Sequence, residues 1–320
     1  MIAFIFPGQG SQAVGMGQAL AEAFPICRAT FEEADAALGE PLSRLIFDGP
    51  DDQLTLTENA QPAILAVSIA AFRLLESRGL RPALVAGHSL GEYSANVAAG
   101  TFSFHDAIGI VRRRGRYMQE AVPAGAGAMA AILGLDPAAI SQACTDAAQG
   151  EVVSAANLNG AGQIVIGGAR DAVQRAGERA KALGARRVIP LNVSAPFHTA
   201  LMRPAEQRLA PELRAMAVSD PRIPIVANVD ARLKRTADEA VDALIRQMAS
   251  PVQWEAVVER LASEGVTTYV EVGPGTVLSG LVRKIRRAPP SITSVSFARP
   301  DDLAEVEAAI ADRRSPISDA

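Results

Sequence analysis

Two side chains in this sequence have types and surroundings suited to covalent chemistry. The run Gly87-His88-Ser89-Leu90-Gly91 fits the G-x-S-x-G pattern. In that pattern a serine sits on a sharp strand-to-helix turn with its hydroxyl exposed above the sheet edge. The glycines permit close backbone approach, and the Leu90 N–H, at the start of the helix, can face an oxyanion. Ser89 is thus a candidate nucleophile that carries an acyl group, weighed against chance occurrence of the pattern in a Gly- and Ala-rich chain. A neutral serine needs a base within hydrogen-bond reach, and the chain has only three histidines. His88 adjoins the serine on the incoming strand and suits packing beside the elbow. His105 falls in the first turn of an expected helix, a solvated or capping position. His198, in the irregular segment Val193-Ser194-Ala195-Pro196-Phe197-His198, lies where a loop can hold a pre-positioned base. No acidic third member stands out between Ser89 and His198; a backbone carbonyl can hold the imidazole tautomer instead.

A second glycine loop, Gly8-Gln9-Gly10-Ser11-Gln12-Ala13, follows an apolar run and admits two readings. It fits the dinucleotide fingerprint G-x-G-x-x-A, which needs an acid at the end of the next strand, roughly 20 positions on. Glu32, Glu33 and Asp35 lie at that distance, but in a stretch patterned as a helix. Alternatively, Gln9 supplies an amide donor beside the nucleophile. The run Arg112-Arg113-Arg114 spans about 200° of helical arc. At least one of the three therefore faces away from the others, and an inward guanidinium would receive a substrate carboxylate.

These groups need a scaffold. Ile2 to Phe6 and Ala83 to Ala86 read as buried strands, Pro62 to Leu75 as a helix apolar on nearly every face, and Leu90 to Ala99 as the helix leaving the elbow. Phe104 to Glu120 reads as a helix capped by Ser103. After the flexible signature Pro123-Ala124-Gly125-Ala126-Gly127, the pattern becomes strand, helix, strand, strand, helix, strand, with a hairpin turn expected at Asn159-Gly160. That order is ferredoxin-like. Helices at Ala200 to Ala217, Ala237 to Ala249, Trp254 to Glu264 and Val277 to Arg287, with a strand at Thr268 to Val272, complete an α/β pattern. The expected division is 1–124 and 195–320 as two parts of a large subdomain, with 125–194 inserted. The polar end after Arg313 reads as disordered.

Composition narrows the function class. Net charge is −4 and aromatics are 4%, which argues against a phosphate-backbone or base-stacking surface. Cys27 and Cys144 have no paired spacing, so neither a disulfide framework nor a metal cluster is implied. The apolar start meets Pro7-Gly8 too early for a secretory signal, and no uninterrupted apolar run approaches the ~18 residues of a membrane span. The expectation is a soluble, cytoplasmic protein.

Taken together, Phe6-Pro7-Gly8-Gln9-Gly10-Ser11-Gln12, Gly87-His88-Ser89-Leu90-Gly91-Glu92-Tyr93, Arg114-Gly115, Val193-Ser194-Ala195-Pro196-Phe197-His198 and Glu271-Val272-Gly273-Pro274-Gly275 make nearly the whole chain resemble a known family. It is that of malonyl-CoA:acyl carrier protein transacylases and the acyltransferase domains of polyketide and fatty acid synthases. The resemblance implies an α/β-hydrolase-like core with a parallel sheet and a ferredoxin-like insert. It implies Ser89 as nucleophile, His198 as base, Gln9 and the Leu90 N–H at the oxyanion hole, and Arg114 on the malonyl carboxylate. The Gln247 backbone carbonyl would orient the histidine. Phe197 before His198, and Leu90 after the serine, resemble the malonyl-selective pattern. No cofactor is implied: malonyl-CoA is the substrate, and the acceptor is the phosphopantetheine thiol of acyl carrier protein in type II fatty acid synthesis. A monomer without nucleic-acid or membrane partners is expected. Arg186-Arg187 and the basic end of the last expected helix, Arg283 to Arg287, are candidate docking charges. Two rivals share parts of the site: a serine hydrolase using Ser89 and His198, and a dinucleotide-binding protein using the Gly8 loop.

Overall fold

In a computed structural model, which describes residues 1–123, 125–193, 195–287 and 291–311, the chain builds two sheets. The larger contains β1 (Ile2–Phe6), β2 (Leu84–Gly87), β7 (Ile225–Val226), β8 (Leu233–Lys234), β9 (Thr268–Val272) and β10 (Thr293–Phe297), in the order β10-β9-β1-β2-β7-β8. All neighbours are parallel except the edge pair β7–β8, which is antiparallel. The expected parallel sheet is therefore mixed at one edge, where Ala227 to Arg232 turn the chain straight back.

Alternation along β1 shows why the central strands read as unbroken apolar runs. Phe4 and Phe6 enter the larger core, with the helix Thr57–Ser77, while Ala3 and Ile5 enter the core on the other face with Trp254 and Tyr269. That helix begins five residues before the expected Pro62. It is not an uninterrupted apolar run, but its length and mean hydropathy would suffice to cross a membrane; its most apolar window is 83% buried inside the protein. A helix enclosed by neighbours can be apolar all round without meeting lipid.

The smaller sheet contains β3 (Gly127–Leu133), β4 (Val153–Gly160), β5 (Gln163–Ala169) and β6 (Arg187–Pro190), antiparallel in the order β4-β5-β3-β6. Helices Pro137–Ala148 and Arg170–Ala182 cover one face around Ile132, Ile140, Ile164 and Ala176. This is the ferredoxin-like arrangement. Helix starts follow the expected caps: Asp136 accepts the Ala139 N–H at 2.8 Å and Ser103 accepts that of Asp106 at 3.0 Å.

One turn differs from expectation. Gly160 pairs with Gln163, so the hairpin turns at Ala161-Gly162, both at positive φ (52° and 72°), rather than at Asn159-Gly160. A register shift between Leu158 and Gly160 accounts for the displacement. It leaves Asn159 on the strand, where its Oδ1 lies 2.9 Å from His88 Nε2. The helix expected over Ala200 to Ala217 is a short 3-10 turn followed by Arg203–Arg214. Ala124, Ser194 and the polar end after Arg313 lie outside the described residues, so both expected subdomain boundaries fall at such positions.

Candidate active site

The elbow depends on glycine at both ends. A Cβ on Gly87 would lie 1.9 Å from the Gly91 carbonyl carbon, and one on Gly91 only 2.0 Å from the Phe6 oxygen. The helix Gly91–Ala99 therefore packs directly on the ends of β1 and β2. Ser89 between them is held at φ 53°, a left-handed conformation that costs a non-glycine residue about 1–2 kcal/mol. Asn228, fully buried just after β7, holds the strained turn: its Oδ1 accepts the Ser89 N–H at 2.7 Å and its Nδ2 donates to Gly87 O at 2.6 Å. Because no relaxation of the glycine contacts is available, Gly91→Ala should destabilise the protein by about 3 kcal/mol or more. Denaturant unfolding checks this; a midpoint like that of wild type would refute the steric account.

The structure brings the sequence-predicted side chains together. Ser89 Oγ lies 2.7 Å from His198 Nε2, and His198 Nδ1 donates to the Gln247 carbonyl at 3.0 Å. That second bond fixes the tautomer that leaves Nε2 free to accept a proton. His198 occupies the turn after β6 at φ 60° and is 3% exposed. Its loop packs on β3, where a Cβ on Gly127 would meet the Pro196 ring at 2.4 Å. Burial, reinforced by the charge of Arg114, lowers the His198 pKa to about 3. The imidazole is thus neutral, the form that can accept a proton.

Of the three consecutive arginines, Arg112 pairs with Glu40, Arg113 with Glu212, and Arg114 points inward at 1% exposure. Gly115 lets the arginine's helix, Phe104–Glu120, approach Thr57–Ser77, since a Cβ there would lie 2.6 Å from Thr57 O. Arg114 donates from Nη1 to Gln61 Oε1 (2.6 Å) and from Nη2 to Gln247 Oε1 (2.9 Å) and Ser89 Oγ (3.2 Å). Its guanidinium carbon also stands 5.1 Å from the centre of the Tyr93 ring. Among the described residues it forms no ion pair, and its Nε has no hydrogen-bond partner. Burial of an unpaired cation is costly, so the arrangement favours an arriving anion beside the Ser89 hydroxyl.

Gln9 lines the same cleft, about 390 Å³ in volume, with Ser89, His198, Phe197 and Leu278. Its Nε2 donates to Thr57 Oγ1 at 3.2 Å. The loop stands close because Gly8 lacks a Cβ, which would otherwise lie 2.4 Å from His88 O. Leu90 has helical dihedrals at the head of the helix Gly91–Ala99; the Ser89 N–H, spent on Asn228, is not available to an oxyanion. His88 packs against Trp254, with ring centroids 5.6 Å apart, and burial lowers its pKa. His105 is exposed. The dinucleotide reading fails: no helix follows the Gly8 loop until Gln18–Ala23, and the three acids lie on the helix Pro25–Leu38. There Glu33 pairs with Arg73 (2.6 Å) and Asp35 accepts from the Ser43 backbone (2.7 Å).

Four contributions escaped the sequence reading: Asn228, Gln61, Glu92 and the side chain of Gln247. The Gln247 Nε2 donates to Ser89 O at 3.0 Å and to Glu92 Oε2 at 2.8 Å. Only the apolar run Ile223 to Ala227 ahead of Asn228 carried a usable signal, that of a short buried strand ending at the site. Glu271 acts at a distance from this chemistry: its carboxylate accepts the Leu278 and Ser279 N–H groups (3.1 and 2.7 Å), capping the helix Val277–Ile285 at the cleft wall.

A neutral imidazole on a strained serine hydroxyl, with a cation beside it, can take an acyl group that carries its own carboxylate. The family model described as acyl transferase domain matches residues 3–309. The malonyl CoA-acyl carrier protein transacylase of Escherichia coli (strain K12) is 52% identical over 284 residues, spanning 88% of this chain and 92% of that one. The protein of the same name from Bacillus subtilis (strain 168) is 51% identical over 287 residues, spanning 89% and 90%. A solved acyl carrier protein S-malonyltransferase from Vibrio cholerae is 49% identical, with TM-score 0.92 and coverage of 95% and 99%. The chain belongs to the acyl transferase family and, within it, to the malonyl-CoA:acyl carrier protein transacylases.

Proposed function

We propose that this protein moves the malonyl group of malonyl-CoA to the phosphopantetheine thiol of acyl carrier protein, through an ester on Ser89, supplying type II fatty acid synthesis. His198 takes the Ser89 proton as the hydroxyl attacks the thioester carbonyl. The tetrahedral oxyanion is held by Gln9 and the Leu90 N–H, and its collapse expels CoA, which receives the proton. The acceptor thiol then gives its proton to His198 and attacks the ester, regenerating Ser89. Arg114 receives the free carboxylate, and the Gln247 carbonyl steadies the imidazolium that forms in each half-reaction. The observation that carries this reading is the Arg114 guanidinium 3.2 Å from the Ser89 hydroxyl without an acidic partner among the described residues. A simple hydrolase has no use for that charge.

The division at 1–124, 125–194 and 195–320 belongs to this reading: the inserted unit supplies one wall of the cleft, through Met129, Asn157 and Asn159. The protein acts as a cytoplasmic monomer, with Phe197 lining the pocket for malonyl. Preloaded enzyme should discharge to holo acyl carrier protein far faster than to water; equal rates would favour a hydrolase. Arg186 and Arg187, both exposed where β6 begins, meet the carrier, whereas Arg286 is engaged with Glu259 at 2.7 Å. Reversing the charge of Arg186 and Arg187 should raise the KM for carrier protein and leave that for malonyl-CoA unchanged. Equal effects on both substrates would count against docking there.

A further inference from the structure

Behind the nucleophile lies a second buried charge that the transfer steps do not use. Glu92, on the first turn of the helix leaving the elbow, is 1% exposed. Its Oε2 accepts the Asn228 backbone N–H at 2.9 Å and the Gln247 Nε2 at 2.8 Å. The other end of that amide, Gln247 Oε1, accepts from Arg114 Nη2 at 2.9 Å. Two buried opposite charges are therefore joined by a single side-chain amide, and among the described residues neither forms an ion pair of its own. Buried charges are normally paired; here the pairing is held one residue apart. We propose that Glu92 is the standing counter-charge of Arg114, relayed through the Gln247 amide, and so sets how tightly the site holds the carboxylate of its acyl group.

This rests on the assignment of Arg114 as carboxylate receptor. An acid in direct contact with Arg114 would occupy the place of the substrate's carboxylate. Without any nearby anion, the guanidinium would stand uncompensated in the free enzyme. Glu92 supplies the intermediate case: it opposes the effect of burial on Arg114, yet leaves only the neutral Ser89 hydroxyl, and no acid, on that side of the fork. Its charge also competes with the incoming carboxylate. Burial raises the Glu92 pKa to about 7, and of the charged groups facing it Asp230 acts to raise it and Lys234 to lower it. These two pair with each other at 2.8 Å. Tyr93, on the same helix, is pushed up to about 12 by burial and stays neutral. Near neutral pH the competing charge is thus partly titrated away. Neither Arg114 nor a malonyl carboxylate changes charge in that range.

The test is the ratio of kcat/KM for malonyl-CoA to that for acetyl-CoA, measured on the full chain with holo acyl carrier protein as acceptor. Effects on Ser89 or His198 act on both substrates and cancel in the ratio. Glu92→Gln keeps the shape of the side chain and an amide oxygen able to accept both bonds, and removes the charge. At about pH 8 the ratio should rise several-fold in this variant, and its pH dependence should disappear. In wild type the ratio should rise as pH falls from about 8 to about 6, because protonation removes the competing anion. An unshifted or lowered ratio in Glu92→Gln overturns the proposal. If that variant does not fold, a flat wild-type ratio across the same range overturns it. Arg114→Ala separates the two claims. A ratio that survives in that variant refutes the receptor assignment itself. A ratio that collapses there but does not move in Glu92→Gln removes Glu92 alone.

Discussion

Replacing His198 with alanine should slow malonyl loading of Ser89 by about 10²- to 10⁴-fold, the usual contribution of a positioned general base. Among the described residues Ser89 Oγ has one basic neighbour, His198 Nε2 at 2.7 Å, and its contact with Arg114 is with a donor. None of the other described residues hydrogen-bonded to the hydroxyl can take its proton. The pH behaviour of wild type carries the same signature. Burial and Arg114 lower the His198 pKa from 6.5 to about 3, so loading should lose no activity as pH falls through 6.5. A rate that halves near pH 6.5 would contradict the buried, neutral base. Stability should show the complementary sign. Between about pH 6.5 and pH 3 the unfolded chain binds a proton at this histidine that the folded chain does not, so acidification across that window weakens the fold. Above it the histidine contributes no pH dependence. Stopped-flow loading measured alongside unfolding, for wild type and His198→Ala, separates the two effects.

Arg114→Ala should cost malonyl transfer about 2–4 kcal/mol, or roughly 30- to 900-fold in kcat/KM, while raising relative activity with acetyl-CoA. The guanidinium is already buried and already held, by Gln61, Gln247 and the face of Tyr93. If Arg114 is the receptor we propose, a malonyl carboxylate meets it without reorganisation, whereas an acetyl group leaves the buried cation without its anion. Removing the arginine removes both the attraction and the penalty. Competition between the two thioesters for one enzyme sample reads the discrimination directly. An unchanged preference would refute the assignment, whatever happened to the absolute rate.

Local patterns carried the parts of this site that short stretches of chain dictate. Gly87 and Gly91 are required by contacts of 1.9 and 2.0 Å that follow from a strand turning at once into a helix, and that requirement is written in five residues. The three arginines had to face different ways, and they do. The inserted unit was legible because its strand and helix order admits few folds. What escaped was of another kind. Asn228 and the Gln247 side chain reach Ser89 from 139 and 158 residues away, and neither belongs to a pattern with a period. The hairpin turn lies two residues on because a register shift keeps Asn159-Gly160 in the strand pairing, where Asn159 meets His88, an irregularity that the Asn-Gly turn preference does not reveal. The helix Thr57–Ser77 exceeded its expected start because burial within the core, rather than local propensity, decides its extent.

Every step proposed here depends on malonyl residing on Ser89, and intact-mass measurement after brief exposure to malonyl-CoA reads this without intermediaries. Wild type should gain the mass of one malonyl group and lose it on addition of holo acyl carrier protein, while Ser89→Ala, folded and equally exposed, should gain nothing. A malonyl adduct of equal yield on Ser89→Ala, or turnover by that variant at the wild-type rate, would contradict the account.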